Sequence, residues 1–521
     1  MTIRLGTHKT IVIIFFVLFL GLGLHLVKDY GICFDEKDQR DFGLTTINYV
    51  TQADQRLLQE HDRQRGPLFE VVLIALEKGF HLTNNVRSIF VMRHLTTFLL
   101  FYLGVIFFYK LGKENFQSWQ AGLLGCLFLI LSPRIFADAF YNPKDIPCLS
   151  LFIICTYTLI KYLKNKTFFN TFIHAFACAV LIDIRIVGII FPFLTLVFTF
   201  ADIYILPLKN EDSKRVFLNL FSYFLFLILF TFLFWPFLWA SPLHNLIWCL
   251  LEVTRISIGG CSNLYLGQKI QITNIPWHYI PVWMAITTPL VYVIAFCVGY
   301  VRTILLAGSD FIRFYRLNKS GLIFLVLFSL FMLQVILFKP NNYDGWRHYF
   351  FIYPAFLIFS VAGLRTLFDF ARGLKGGVFI QIIFILLILL NLGSVVSFMI
   401  RNHPYQNVYF NNLAGRNMKE IKCRFDLDYW GLSYTKALKY IAANDPDHFI
   451  PYYLDNYYII QPKETEMLNP QDRERLVLVD DIKKAKYFLS DYREHPQDYN
   501  YKNIFYSVKV DGAAIAVVYR L

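Results

Sequence analysis

Residues 10–38 read TIVIIFFVLFLGLGLHLVKDYGICFDEKD. The first eighteen are almost wholly apolar, which as a helix is long enough to cross the hydrocarbon of a bilayer. A charged segment follows at once, headed by the adjacent carboxylates Asp35 and Glu36. A carboxylate at such a low-dielectric boundary is expected to have a raised pKa, which suits it to take a proton from a hydroxyl. The same pair is also what a solvated acidic loop contains, so the rest of the chain has to separate the two readings.

The composition points to the membrane. Of 521 residues, 56% are hydrophobic and only 17% charged, whereas soluble domains carry about a quarter charged residues. The net charge of +13 implies no nucleic-acid partner, because membrane proteins gather Lys and Arg in cytoplasmic loops for topological reasons. No small-residue cleavage site follows the first span, which reads as a retained helix. The nine cysteines form no CxxC and no Cys/His cluster. Cys126, Cys148, Cys155, Cys178 and Cys297 lie in apolar runs as small core residues, while Cys33, Cys261 and Cys423 fall in extramembrane segments where a disulfide is open.

About eleven spans are expected: 10–27, 88–110, 118–135, 146–163, 169–183, 187–205, 216–238, 281–304, 320–338, 347–364 and 378–400. The fifth and sixth read equally as one kinked element. Basic residues recur on alternate connections: Arg4 and Lys9, Lys110 and Lys113, Lys161, Lys164 and Lys166, Lys209, Lys214 and Arg215, Arg302, Arg313, Arg316 and Lys319, then Arg365, Arg372 and Lys375. Short basic loops stay in the cytoplasm. That puts Asp35–Glu36, the loop 134–145, the segment 241–280, the loop 339–346 and everything after 401 on the other face, the periplasm of a bacterium. The expected fold is mostly α: residues 1–400 form a polytopic membrane domain, with 28–87 as a long first outer loop. Gly66 to Lys78 in that loop suits a helix lying in the interface. Residues 401–521 form a small soluble α/β domain, with a helix over Tyr434–Ala443 and two strands around the Asp511–Gly512 turn.

Four outer patches carry candidate chemistry. Beside Asp35 and Glu36 there is SPRIFADAFYNPKDIP (132–147), which crowds Arg134, Asp138, Lys144 and Asp145 into one short loop between spans. Charges so near hydrocarbon are expensive and tend to be functional. Asp183-Ile-Arg185 lies between spans five and six, where the Arg is able to pair with the Asp and do nothing more. WRHYFFIYP (346–354) opens span ten with Arg347 and His348. The planar fork of Arg suits phosphate oxygens. Carboxylates and cations together at one membrane face fit a lipid-phosphate sugar donor: the tail stays in the bilayer, the phosphate meets Arg134, Lys144, Arg185, Arg347 and His348, and a carboxylate takes the acceptor proton. Asp35 and Glu36 also have the oxygens to bridge a divalent ion to that phosphate, although no His-rich ligand set accompanies them.

The acidic pair after span one, SPRIFADAFYNPKDIP and WRHYFFIYP resemble the family 39 glycosyltransferases of the GT-C superfamily, among them the protein O-mannosyltransferases and the bacterial aminoarabinose transferase of lipid A. NIPWHYIPVWMAITTP (274–289), HPYQNVYFNNLAG (403–415) and RFDLDYWGLSY (424–434) are similar to a bacterial branch of that family. The resemblance covers about residues 10–435 and rests on the order and membrane side of loose motifs. It implies a GT-C fold in the bacterial inner membrane, a polyprenyl-phosphate-linked sugar as donor, inverting transfer, and an active site facing the periplasm. Asp35 and Glu36 match the family's first-loop acids, of which one is the expected base; Asp138 or Asp145 matches the second-loop acid. The long luminal insertion of the protein O-mannosyltransferases is missing, so the expected acceptor is a periplasmic glycan or lipid before a protein. The rival reading is a transporter or a flippase for lipid-linked sugars. Transporters often show inverted repeats and ionisable groups at mid-membrane, and this chain shows neither.

Overall fold

The computed structural model describes residues 6–82, 85–206, 210–252, 262–455, 464–493 and 495–521. Arg4, Lys209 and Cys261 lie outside them. Helix α1 (Thr7–Leu26) leads to α2 (Phe34–Gln52) and α3 (Leu68–Gly79), which make up the first outer loop. The bundle continues with α4 (Val86–Phe116), α5 (Trp119–Ile130), α6 (Pro133–Tyr141), α7 (Asp145–Lys164), α8 (Phe168–Ile184), α9 (Ile190–Ile205) and α10 (Asn210–Phe234). After the short α11 (Phe237–Ala240) and α12 (Pro242–Glu252), a two-stranded hairpin of β1 (Ser262–Tyr265) and β2 (Gln268–Gln271) precedes α13 (Tyr279–Thr287). Then come α14 (Leu290–Ser309), α15 (Phe311–Leu317), α16 (Lys319–Phe338), α17 (Tyr353–Arg372) and α18 (Gly377–Arg401).

Among the described residues, nine helices are long and apolar enough to cross a membrane, which makes this a multi-pass membrane protein by length and composition. A tenth crossing results if α5 and α6, bent by 70°, count as one. The bend falls where Ser132 precedes Pro133, which has no N–H to continue the ladder of α5. The expected span 118–135 is therefore broken, and α6 turns aside to carry Asp138. Spans five and six are two elements, α8 and α9, with a 3₁₀ turn at Ile186–Ile189 between them; α8 is apolar but only 17 residues long. The expected span 281–304 is displaced: α13 stops at Thr287, Pro289 blocks its continuation, and the crossing helix starts at Leu290. Span ten runs on to Arg372, so Arg365 lies within the helix and not in a loop.

The helices pack closely where side chains are small. A Cβ on Gly299 of α14 would strike the Phe359 carbonyl of α17, and one on Gly363 would strike the Ala295 carbonyl. Two backbones in contact at reciprocal glycines hold membrane helices together where no hydrophobic effect between them is available. Lys161, Lys164 and Arg365 lie together at one end of the bundle. Glu114 there takes Lys161 at 2.6 Å and Lys164 at 2.9 Å, and the Arg365 guanidinium donates to the Phe116 carbonyl. The other end gathers α2, α3, α6, the start of α7, the 339–347 segment and the tail.

The tail adds α19 (Met418–Lys422), α20 (Tyr434–Asn444), α21 (Pro470–Arg475) and a five-stranded sheet. Its strands are β3 (Ile450–Leu454), β4 (Leu476–Leu478), β5 (Tyr487–Ser490), β6 (Ile504–Val510) and β7 (Ala513–Arg520), in the order β4-β3-β5-β7-β6. β3 runs parallel to β4 and β5, and β7 antiparallel to β5 and β6. Asp511 and Gly512, both at positive φ, make the tight turn read from the sequence. Asp511 also fastens the sheet to the bundle: its N–H donates to the Asn402 side chain at 3.2 Å, and Asn402 returns a bond to its carboxylate at 3.0 Å. Val508, Val510 and Ile515 pack into the same apolar core as the membrane helices, while α20 covers Ile450, Tyr452 and Leu489. Cys33 and Cys423 are free thiols.

Two predictions arise from these packings. Gly66 lies against the end of α8, where an added Cβ would collide with the Asp183 carbonyl; two residues on, the Leu68 N–H donates to the Asp183 carboxylate at 2.8 Å. Gly66→Ala is expected to cost about 1–3 kcal/mol by overpacking and to loosen the first outer loop, read as faster proteolysis between α2 and α4. The second concerns Asp491, buried between α20 and β5, with its pKa pushed up to about 8. Burial is the main cause; Asp428 and Asp455 add to it, and Arg493 opposes it. A carboxyl whose folded pKa lies above its unfolded value of about 3.9 keeps a proton that the unfolded chain gives up. Its contribution to stability is full below about pH 4 and is lost as pH rises through 8, at roughly 1.4 kcal/mol per pH unit. Unfolding of the full chain should therefore become easier between pH 5 and pH 8, and Asp491→Asn should flatten that slope.

Candidate functional site

The site starts at the N-terminus of α2. Glu36 closes a capping box: its carboxylate accepts the Cys33 N–H at 3.0 Å, and its other oxygen meets His94 Nε2 of α4 at 3.0 Å, with both side chains fully buried. Glu36 is thus occupied in fixing where α2 begins. Successive helix positions point about 100° apart, so the neighbouring Asp35 faces a different environment. Its side chain is 31% exposed, and its Oδ2 lies 3.6 Å from Lys144 Nζ and 3.9 Å from Arg347 Nη2. Burial alone would raise this carboxyl. Lys144, Arg347 and Arg65 together outweigh that and hold it well below the ordinary carboxylate range. The expectation of a raised pKa at Asp35 is overturned for this reason: the boundary is low in dielectric, but it is lined with cations.

Lys144 and Asp145 are held by the turn Asn142-Pro-Lys-Asp145. The Asn142 side-chain carbonyl accepts the N–H groups of Lys144 at 3.2 Å and Asp145 at 2.8 Å, which starts α7. The Asn142 amide donates to Asp138 at 3.1 Å and to Asp145 at 2.9 Å, joining the two candidate second-loop acids. Asp138 also accepts the Tyr141 hydroxyl at 2.7 Å. Asp145 is bound by Arg185 and, at 3.2 Å, by Arg347. Arg185 therefore reaches across to Asp145; the pairing with Asp183 considered from the sequence is absent, because Asp183 instead caps the start of α3.

Arg347 is the hub. Its guanidinium is fully buried, forks between Asp145 and Asp344 (3.0 Å), and lies over the rings of Trp430 at 4.6 Å and Tyr343 at 4.9 Å. Asp344 is shared with Arg493 of the tail, 2.9 Å away, whose guanidinium also donates to the Tyr429 carbonyl at 2.7 Å. On the other side, Lys144 approaches Asp62 at 3.9 Å, and Asp62 is held by Arg65 at 3.2 Å and by Gln39 at 2.9 Å. These ion pairs form one chain. Among the described residues it joins five Arg or Lys side chains (65, 144, 185, 347, 493) to four carboxylates (35, 62, 145, 344), one more cation than carboxylate.

Of the residues singled out from sequence, Asp35, Lys144, Asp145, Arg185 and Arg347 come together, and Asp138 joins through Asn142. His348 lies beside them, bonded to Asn342 at 2.7 Å and edge-on to Tyr343. Arg134 is engaged elsewhere: its Nε donates to the Tyr409 carbonyl at 3.1 Å, and its guanidinium packs on Phe410 and Trp283. Sequence reasoning missed Asp62, Arg65, Asp344 and Arg493. The string HDRQRGP (61–67) was a usable signal for the first two, as a charge cluster directly before an apolar helix. Among the described residues no group of three or more His, Cys, Asp or Glu is placed to hold a metal. Glu36 is already satisfied and Asp35 faces cations, so this donor set does not fit a divalent ion.

No protein-family model matches the chain, and no curated protein matches it.

Proposed function

We propose that this chain is an integral membrane glycosyltransferase that moves a sugar from a polyprenyl-phosphate donor to a glycan or lipid acceptor at the face bearing Asp35, with inversion at the anomeric carbon. The observation that carries this reading is the ion-pair chain with its cationic excess and one accessible carboxylate at its centre. A phosphate beside Asp35 balances the surplus charge through Lys144, Arg65 and the Nη2 edge of Arg347, which lies 3.9 Å from Asp35. The lipid tail remains among the helices, and the indole of Trp430 and the ring of Tyr343 keep the guanidinium flat and desolvated.

In the reaction, the acceptor oxygen forms its bond to C1 as the C1–O bond to phosphate breaks. The acceptor proton passes to Asp35, and polyprenyl phosphate leaves with both bonding electrons. Asp35 in the donor-free protein is ionised but a weak base. A bound phosphate draws on the same cations, which lifts the pKa of Asp35 and strengthens it as a base only when donor is present. Asp138, bonded to Tyr141 and Asn142, positions the turn that holds Lys144 and Asp145.

The test is the purified chain incubated with a panel of polyprenyl-phosphate sugars and candidate acceptors, following release of lipid phosphate. Acceptor-stimulated release that disappears in Asp35→Asn supports the reading. Movement of intact lipid-linked sugar between leaflets of a vesicle, without release, would replace it with the flippase reading.

A further inference from the structure

The far end of α4 carries a second feature. α1 and α4 run antiparallel, with Glu36 beside His94 at one end and His8 beside Trp119 at the other. Toward the latter end a cavity of about 560 Å³ opens between α1, α4 and α7. This lies within the ~300–1,000 Å³ of ordinary ligand clefts. Its wall is apolar and aromatic, with Val12, Phe16, Ile106 and Tyr157 among its residues. Its rim holds Lys110, Lys113 and Glu114.

The charges at the rim are not balanced. Glu114 is taken by Lys161 and Lys164 from α7. Lys110 lies over the rings of Phe107 at 4.5 Å and Tyr157 at 5.7 Å, and among the described residues neither Lys110 nor Lys113 has a carboxylate partner. Both lysines are exposed and both line the cleft, as long cationic side chains do when the stem lies on apolar surface and the ammonium stays in water. α1 leaves most of its surface unpacked, Ile13 and Val17 included, so the cleft is open to lipid along its length.

We propose that this cleft binds an anionic phospholipid, with one acyl chain in the cavity along α1 and the headgroup phosphate against Lys110 and Lys113. Basic pockets between membrane helices recognise acidic headgroups in this way. A zwitterionic lipid supplies the same chain, but its own cation faces the lysines. The site is independent of the reading of Asp35, which lies at the other end of the bundle.

The experiment uses the full chain in neutral detergent, exposed to vesicles of phosphatidylglycerol, of phosphatidylcholine, or of phosphatidylcholine doped with polyprenyl phosphate. Bound lipid is then read by native mass spectrometry. Phosphatidylglycerol should be retained and phosphatidylcholine should not. Lys110→Gln combined with Lys113→Gln should lower phosphatidylglycerol retention by roughly tenfold or more, while Lys375→Gln at another basic turn should not. Ile106→Trp fills the cavity and should lower retention with both lysines intact. Equal retention of the two phospholipids, a double variant that holds phosphatidylglycerol like the parent, or displacement of it by polyprenyl phosphate would overturn the proposal.

Discussion

Asp35→Asn is expected to lower sugar transfer by roughly 10² to 10⁴, the range for loss of a general base, with the fold preserved. Donor binding should hold or tighten, because the substitution removes a negative charge that competes with phosphate for Lys144 and Arg347. This opposite movement of turnover and binding distinguishes a base from a residue that merely shapes the site. The comparators are Asp38→Asn and Asp41→Asn, at exposed positions further along α2, assayed at equal expression. If all three variants keep near-parent activity, Asp35 belongs to a solvated acidic cap and the proposed chemistry has no base. Glu36→Gln should act on stability instead of turnover, since Glu36 is tied to Cys33 and His94.

Arg347→Ala should be the most damaging single change to the protein itself. It leaves Asp145 and Asp344 buried with part of their compensation gone. Removing one partner of a buried ion pair typically costs about 3–5 kcal/mol, measurable as a shift in the unfolding midpoint of the detergent-solubilised chain. Arg347→Lys keeps the charge but cannot fork between two carboxylates or lie flat on Trp430. It should recover part of the stability while donor affinity stays reduced, read as a raised KM at little-changed kcat. A lysine variant indistinguishable from the parent in both would reduce Arg347 to a point charge at the interface.

The membrane architecture was legible because its signal is local. Long apolar runs, the basic connections and the Asp511–Gly512 turn are each contained within a few tens of residues. The helix ends were misplaced where a single proline decided them, at Pro133 and Pro289, since average hydropathy does not register one missing N–H. Half of the site could be read in the same way: Asp35, Lys144, Asp145, Arg185 and Arg347 are charges at the mouths of spans. The other half is set by long-range pairing. Arg493 meets Asp344 across 149 positions and Arg347 meets Asp145 across 202, and no local pattern marks either pairing. Glu36 and Arg134 looked no different from Asp35 and Lys144 in sequence. Only the fold shows that one is spent on a helix cap and the other on a carbonyl and two rings.

The pairing of Arg493 with Asp344 also imposes a timetable. Chains emerge at about 5–20 residues per second, so the 149 residues between the two partners take roughly 7–30 seconds to make. Over that interval Asp344 and Arg347 have been made and α17 and α18 follow them, while the arginine that completes the pairing has not yet been added. A nascent chain halted before β5 would carry all nine membrane-length helices found among the described residues and an Asp344 without its partner from the tail. The sheet thus closes the Asp344 pairing long after the segment that carries Asp344 has been made.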